Sequence, residues 1–222
     1  MKIRLLSPEC LKPRNKKHNI RLLLHVRKNG FQGLKMDEIS KIMDISRATL
    51  YKYFSTKEDI ITFIVSSFVE YIHEIIEDSD SNQVFVQRFQ QTFEQTILLK
   101  EYITDIFLRE LENSYPENYE RLKEAMKQRE DQELAFYDDG IKEGFFNKID
   151  GRLIIMQDEI LSNILDVKYL MENHLTVYQV LFDYYNLKKF QLFKPDKIKM
   201  IDDNLMIPRI EHMAQKISKN LY

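Results

Sequence analysis

Between Ser46 and Lys57 the chain reads SRATLYKYFSTK, setting Arg47, Lys52 and Lys57 among hydroxyls and aromatic rings. These residue types suit a polyanion. Cations neutralise phosphate, hydroxyls donate to phosphate oxygens, and a guanidinium can place two parallel hydrogen bonds on one guanine edge. Ala48 is small and apolar, a fit for a thymine methyl. Arg47, Ala48 and Lys52, beside Ser46, are therefore a candidate DNA-contact surface, and its chemistry is recognition rather than bond-breaking.

Such a surface needs a rigid helix offered to a major groove, and the flanking residues supply one. Ile39, Ile42 and Met43 recur at helical spacing, predicting a short helix over 37–43 with acidic residues in its first turn. Asp44 falls where the backbone must turn through a left-handed conformation, which Asp tolerates better than most residues. Ile45 fills the space under the turn. Ser46 is a natural N-cap for the next helix, whose inward residues are Leu50 and Phe54. Ser55 with Glu58 fits a capping box that restarts the chain into a long apolar-periodic run, Ile60 to Ile75. A preceding helix over 17–28 ends at Asn29-Gly30-Phe31. No hairpin signal follows the second helix, which counts against a winged variant.

The matched residues over about 45 positions are Asn29-Gly30-Phe31, Met36-Asp37-Glu38-Ile39-Ser40, Ile45-Ser46, Ala48-Thr49-Leu50-Tyr51, Tyr53-Phe54 and Lys57-Glu58. In this register the segment resembles the DNA-binding domain of the TetR/AcrR family of bacterial regulators. The resemblance implies an all-α fold with three domains or segments: a basic arm at 1–16, a helix-turn-helix domain at 17–62, and a helical effector-binding and dimerisation domain at 63–222. It also implies that Tyr51 meets bases or sugars, while Thr49, Tyr53 and Lys57 meet phosphate. Lys57 lies in a first helical turn, whose free N–H groups attract phosphate as well. Lys52 is a solvent-facing cation in reach of the backbone. Two departures stand out. Met36 replaces the family's usual Thr, and Asp44 replaces the usual Gly of the turn.

Charge distribution supports a polyanion partner for one part of the chain only. The whole chain has 33 basic and 35 acidic residues. Residues 1–57 hold 14 Lys or Arg against 4 Asp or Glu, leaving 19 against 31 for the rest. A basic head on an acidic body is the pattern expected of a nucleic-acid binder. Lys2, Arg4, Lys12, Arg14, Lys16 and Lys17 around Pro8 and Pro13 read either as an arm that touches DNA or as a merely soluble terminus.

With five Gly and five Pro in the chain, the remainder reads as helices. Val84 to Ile97, Ile103 to Leu111 and 117–143 carry helical stripes, and Glu143-Gly144-Phe145-Phe146 extends the family likeness. Leu153, Met156, Ile160, Leu161 and Ile164 line a further helix. Val167 to Tyr185 lines another over five turns. The resemblance implies that these two helices pair with their twins in a homodimer, with Met156, Ile160, Ile164, Met171, His174, Tyr178, Phe182 and Tyr185 at the interface; burial within one chain is the competing reading. Two heads on an inverted repeat would supply the specificity that one short helix lacks.

Family members usually hold a small effector in the body. The candidate pocket residues are Phe89, Phe93, Phe107, Glu110, Met126, Arg129, Glu133, Glu159 and Asn163, because charges inside apolar stripes must be paired or face a wet cavity. No metalloprotease, CxxC, phosphate-loop or nucleophile-elbow motif occurs, so no catalytic residue, metal or cofactor is expected. One cysteine, Cys10, and the lack of a signal-peptide core or an 18-residue apolar stretch suit a cytoplasmic protein with no membrane partner. The competing functions are an effector-responsive repressor, an effector-independent DNA-binding protein with an architectural or division-control role, and a helical enzyme or adaptor with a vestigial head.

Overall fold

The computed structural model describes residues 16–74 and 84–221. Lys2 to Arg14 of the expected arm, Cys10, and Ile75 lie outside these. The described chain is all-helical: α1 (Lys16–Asn29), α2 (Met36–Ile42), α3 (Arg47–Tyr53), α4 (Lys57–His73), α5 (Val84–Tyr102), α6 (Asp105–Ser114), α7 (Pro116–Lys142), α8 (Gly151–Met156), α9 (Ile160–Ile164), α10 (Val167–Glu172), α11 (Val177–Leu192) and α12 (Ile207–Leu221). An isolated β-bridge joins Phe146 to Phe193. Among the described residues no helix is long and apolar enough to cross a membrane.

The chain forms two compact units. One is 16–74 with 101–128, the other 84–100 with 129–221.

In the first unit, Leu22, Leu23, Val26, Ile39, Met43, Leu50, Ile60, Ile61, Ile64, Val65 and Phe68 are buried, which brings α1 to α4 around one core. Asp44 takes φ 56, so the left-handed turn expected there is present. Arg21 pairs with its carboxylate at 2.5 Å, which offsets the negative charge that Asp brings to the turn. Ser46 caps α3 as expected, its Oγ accepting the Thr49 N–H at 3.0 Å. The cap of α4 is shifted by one residue from Ser55–Glu58. Thr56 Oγ1 accepts the Asp59 N–H at 3.1 Å, and Asp59 Oδ2 accepts the N–H groups of Ser55 and Thr56. The sequence spells two overlapping boxes, and the shorter Asp carboxylate closes the one that forms.

The second unit is built on aromatic packing. Phe85 meets Phe136, Phe145 and Phe146, while Phe89 and Phe93 meet Tyr185, and Phe146 stands edge-on to Phe193. These rings favour offset and edge-to-face contacts because of their quadrupoles. Phe146 lies directly over Gly140, where an added Cβ would come within 2.1 Å of its ring. Gly144, at φ 77, turns the chain after α7, and the Asn147 side chain then donates to the carbonyls of Gln191 and Phe193. The tail forms α12, which packs on α11 and buries Ile210, Met213, Ala214 and Ile217.

Two expected helices are interrupted. The stripe from Leu153 to Ile164 is α8 and α9 joined by a 3-10 turn over Gln157–Glu159. The five-turn stripe from Val167 to Tyr185 breaks at His174, which takes φ 55. Thr176 then starts α11 with a capping box to Gln179. Thr-x-x-Gln is the signal that the apolar periodicity concealed.

Candidate nucleic-acid interface

Helix α3 is amphipathic over its seven residues. Leu50 is fully buried, while Ser46, Arg47, Ala48, Tyr51, Lys52 and Tyr53 are exposed and Thr49 is half-buried. The two rings are thus on a polar surface, beyond the core they would otherwise enter. Ser46 Oγ and Thr49 Oγ1 lie 2.8 Å apart, forming a hydroxyl pair at the start of the helix. Arg47 is 65% exposed and pairs with Asp37 of α2. An ion pair this open is worth about 0–1 kcal/mol, so Arg47 can exchange Asp37 for a base edge at small cost. Phe54 is half-buried and packs on Phe63 at 5.5 Å, and Ile45 is half-buried under the turn.

Lys57 is placed differently. Its Nζ donates to the backbone carbonyls of Phe31 at 3.4 Å and Gln32 at 2.9 Å. In the structure it braces the turn between α1 and α2.

The nine candidate pocket residues divide between the two units and among several local environments. Phe89 and Phe93 line a cavity in the second unit together with Thr92, Thr96, Phe136, Tyr137, Ile154, Lys188 and Leu192. Its volume is about 10 Å³, roughly one water's worth. Arg129 and Glu133 sit in a buried network that reaches this lining at Thr96. Arg129 donates to Gln95 and Thr96, both at 2.6 Å, and to Glu133 at 3.0 Å. Burial pushes the Glu133 carboxyl above its ordinary value, and the Arg129 charge opposes that rise. The other five lie elsewhere. Phe107 is buried in the first unit between Phe31 and Phe68. Glu110 accepts the N–H groups of Phe31 and Gln32. Met126 and Asn163 are exposed, and Glu159 is an exposed partner of Lys100 at 2.6 Å. Helical periodicity cannot separate these environments, because it places a residue on a stripe without showing whether a neighbour covers that position.

Lys188 and Lys189 are buried groups that the apolar periodicity of α11 does not reveal. Lys188 pairs with Asp158, which also accepts from the Tyr184 hydroxyl at 2.7 Å. Lys189 pairs with Asp203 at 2.6 Å, and Asp203 accepts from the Tyr185 hydroxyl at 3.1 Å. Burial first, then the adjacent aspartates, raise both phenol pKa values. The Tyr–Lys spacing of four residues, repeated side by side, is the available signal: each ammonium lies over its own ring.

The expected dimer residues divide in the same way. Met156, Ile160, Met171 and His174 are exposed, and Ile164, Tyr178 and Phe182 are half-buried, the two rings stacked at 5.8 Å. Tyr185 is fully buried and hydrogen-bonded to Gln90 and Asp203, so it is core rather than interface. His174 forms the turn between α10 and α11 instead of joining a continuous stripe. Leu153, Leu187 and Phe190 are further exposed apolar residues on α8 and α11.

Residues 26–62 match the family described as bacterial regulatory proteins, tetR family. No curated protein matches the chain. Among solved structures, the ketosteroid transcriptional regulator KstR2 of Mycobacterium tuberculosis is 17% identical over 82% of this chain and 95% of its own, with a TM-score of 0.54. A TetR-family regulator from Marinobacter aquaeolei is 20% identical over 91% of this chain and 98% of its own, with a TM-score of 0.49. Another from Haemophilus influenzae is 15% identical over 82% and 98%, at 0.45. The head is a TetR-family DNA-binding domain, carried on a chain with the all-helical fold of that family's transcriptional regulators.

Proposed function

We propose that the protein is a cytoplasmic, homodimeric, sequence-specific repressor, released from an inverted-repeat operator by a small, largely apolar effector. The observation that carries this reading is the outward face of α3. Arg47, Ala48, Tyr51, Lys52 and Tyr53 are all exposed there, while Leu50 anchors the helix from beneath. Arg47 and Ala48 read base edges; Ser46, Thr49, Tyr51, Lys52 and Tyr53 add base, sugar or phosphate contacts.

Dimerisation is supported by Leu153, Met156, Ile160, Met171, Leu187 and Phe190, large apolar side chains left in water by the second unit. Large apolar side chains exposed on neighbouring turns of α8 and α9 and on α11 are the kind of surface that a second copy covers. For the effector, the supporting feature is the lining of Phe89, Phe93, Phe136 and Tyr137 with the hydroxyls of Thr92 and Thr96; the space between them holds about one water, so effector entry requires these rings to move apart. The charged groups beside it, Arg129, Glu133 and Lys188, are satisfied by protein partners. A neutral ligand enters such a space without stranding a buried charge.

The test is selection of genomic fragments by the purified protein, followed by footprinting of the enriched DNA. A short inverted repeat occupied by two chains supports the reading. Enrichment without a common motif, or one chain per site, contradicts it and favours architectural binding.

A further inference from the structure

The turn between α1 and α2 is held by two side chains of opposite charge from distant parts of the sequence. Phe31 and Gln32 lie between the helices; the Phe31 carbonyl accepts the Leu34 N–H at 3.1 Å, and side chains reach the remaining backbone groups. Glu110 of α6 accepts both N–H groups, that of Gln32 at 2.8 Å. Lys57 of α4 donates to both carbonyls. One carboxylate and one ammonium thus reach all four polar groups of the two residues.

The surrounding packing is shaped to this arrangement. Gly30 takes φ 74, and a Cβ there would stand 2.2 Å from a Glu110 carboxylate oxygen. The Phe31 ring is buried, edge-on to Phe107 at 5.7 Å and tilted against Tyr115 at 5.8 Å. Immediately before the turn, Thr104 Oγ1 donates to the Arg27 carbonyl at 3.0 Å, and the Arg27 side chain pairs with Glu101. Residues 101–115 therefore hold the end of α1 at Arg27 and the turn at Phe31 and Gln32. Three residues after Gln32, Lys35 opens α2, which in turn packs on α3.

We propose that Glu110 and Lys57 are positioning residues for DNA reading. They fix the α1–α2 turn, and through it the tilt of the α2–α3 pair, without touching DNA. This rests on the reading of α3 as the DNA-reading helix. A recognition group must be held to within about 0.5 Å by supporting residues, and this clamp is the support that joins α6 and α4 to the reading pair. The role also separates Lys57 from a phosphate contact. Loss of a phosphate contact lowers the salt dependence of binding by about one ion and weakens all DNA alike. Loss of a brace does neither.

The experiment uses the full-length protein, the fragment enriched by wild type and an unrelated duplex, titrated by fluorescence anisotropy at several salt concentrations. Glu110→Ala and Lys57→Ala are each expected to weaken operator binding about tenfold, as loss of a charge-assisted hydrogen bond does. Unrelated DNA is expected to change less than about twofold, with the salt slope unaltered. Glu110→Gln, which keeps an acceptor oxygen, falls between wild type and Glu110→Ala. It also carries the test should Glu110→Ala fail to fold. Amide exchange at Phe31 and Gln32 accelerates in the same order. An unchanged ratio of operator to unrelated binding in Glu110→Ala, or a Lys57→Ala variant with a reduced slope and uniform weakening, overturns the proposal. Arg47→Ala runs alongside: if it too leaves the ratio unmoved, the reading of α3 itself falls, and the two failures are told apart.

Discussion

Arg47 on α3 and Lys188 on α11 are both cations paired with an aspartate, yet they sit at opposite extremes of solvation. Arg47 and Asp37 are largely in water, and a pair of that kind is nearly neutral in free energy. Lys188 and Asp158 are each about 5% exposed, and the Tyr184 hydroxyl adds a further bond to the same carboxylate. Such a pair holds because removal of either partner strands a buried charge. The difference separates two uses of one chemistry. A solvated cation can change partners and so can read a ligand; a buried one is locked, and specifies packing. The face of α3 proposed to read DNA carries the former at Arg47, and the interior of the second unit holds the latter at Lys188.

The largest effect that would sharpen this contrast is on stability. Asp158→Asn should cost about 3–5 kcal/mol, measured by urea unfolding, because Lys188 loses its charge partner in the interior. Asp37→Asn should cost less than about 1 kcal/mol in the same assay. Equal costs at the two sites would break the comparison.

Next in size is DNA affinity. Arg47→Ala should lose about 1–3 kcal/mol of operator binding and relax preference at one base pair per half-site, with unfolding unchanged. If this variant is destabilised instead, Arg47 belongs with the locked charges.

A smaller effect separates the two candidate caps of α4. Thr56→Ala should destabilise by about 1 kcal/mol, whereas Ser55→Ala should be near neutral. The reverse order would restore the Ser55–Glu58 box.

The smallest expected effect is a pH dependence. Burial raises the folded-state pKa of Glu133, so between its ordinary and raised values the folded chain binds more protons than the unfolded one. Stability contributed by this group is therefore lost as pH rises through that window. Wild type should lose ground to Glu133→Gln as pH increases above about 4, in paired urea titrations. A gain for wild type over the same range would mean that Arg129 outweighs desolvation.

Local signals made the head legible. The Asp44 turn, the Ser46 cap and the inward Leu50 are each written within a few residues, and the structure contains all three. The same local logic misled where two signals overlapped, as at Ser55 and Thr56. It also failed where a continuous apolar stripe crossed a break, as at His174, which takes a left-handed conformation without glycine or proline to announce it. Glu110 was illegible for a different reason. Its partners are 78 and 79 residues away, and nothing in the sequence around it indicates that backbone amides, rather than a ligand, satisfy its charge. Lys188 and Lys189 were hidden by their type, since lysines are rarely buried without a partner, and their partners come from Asp158 and Asp203.

The most direct test of the central claim is to repeat the genomic-fragment selection with wild type and Arg47→Ala side by side. Wild type should enrich a short inverted repeat, and the variant should enrich the same repeat with one position in each half-site relaxed. Identical base preferences in the two selections would contradict the account, because the exposed face of α3 would then not be the surface that reads the sequence.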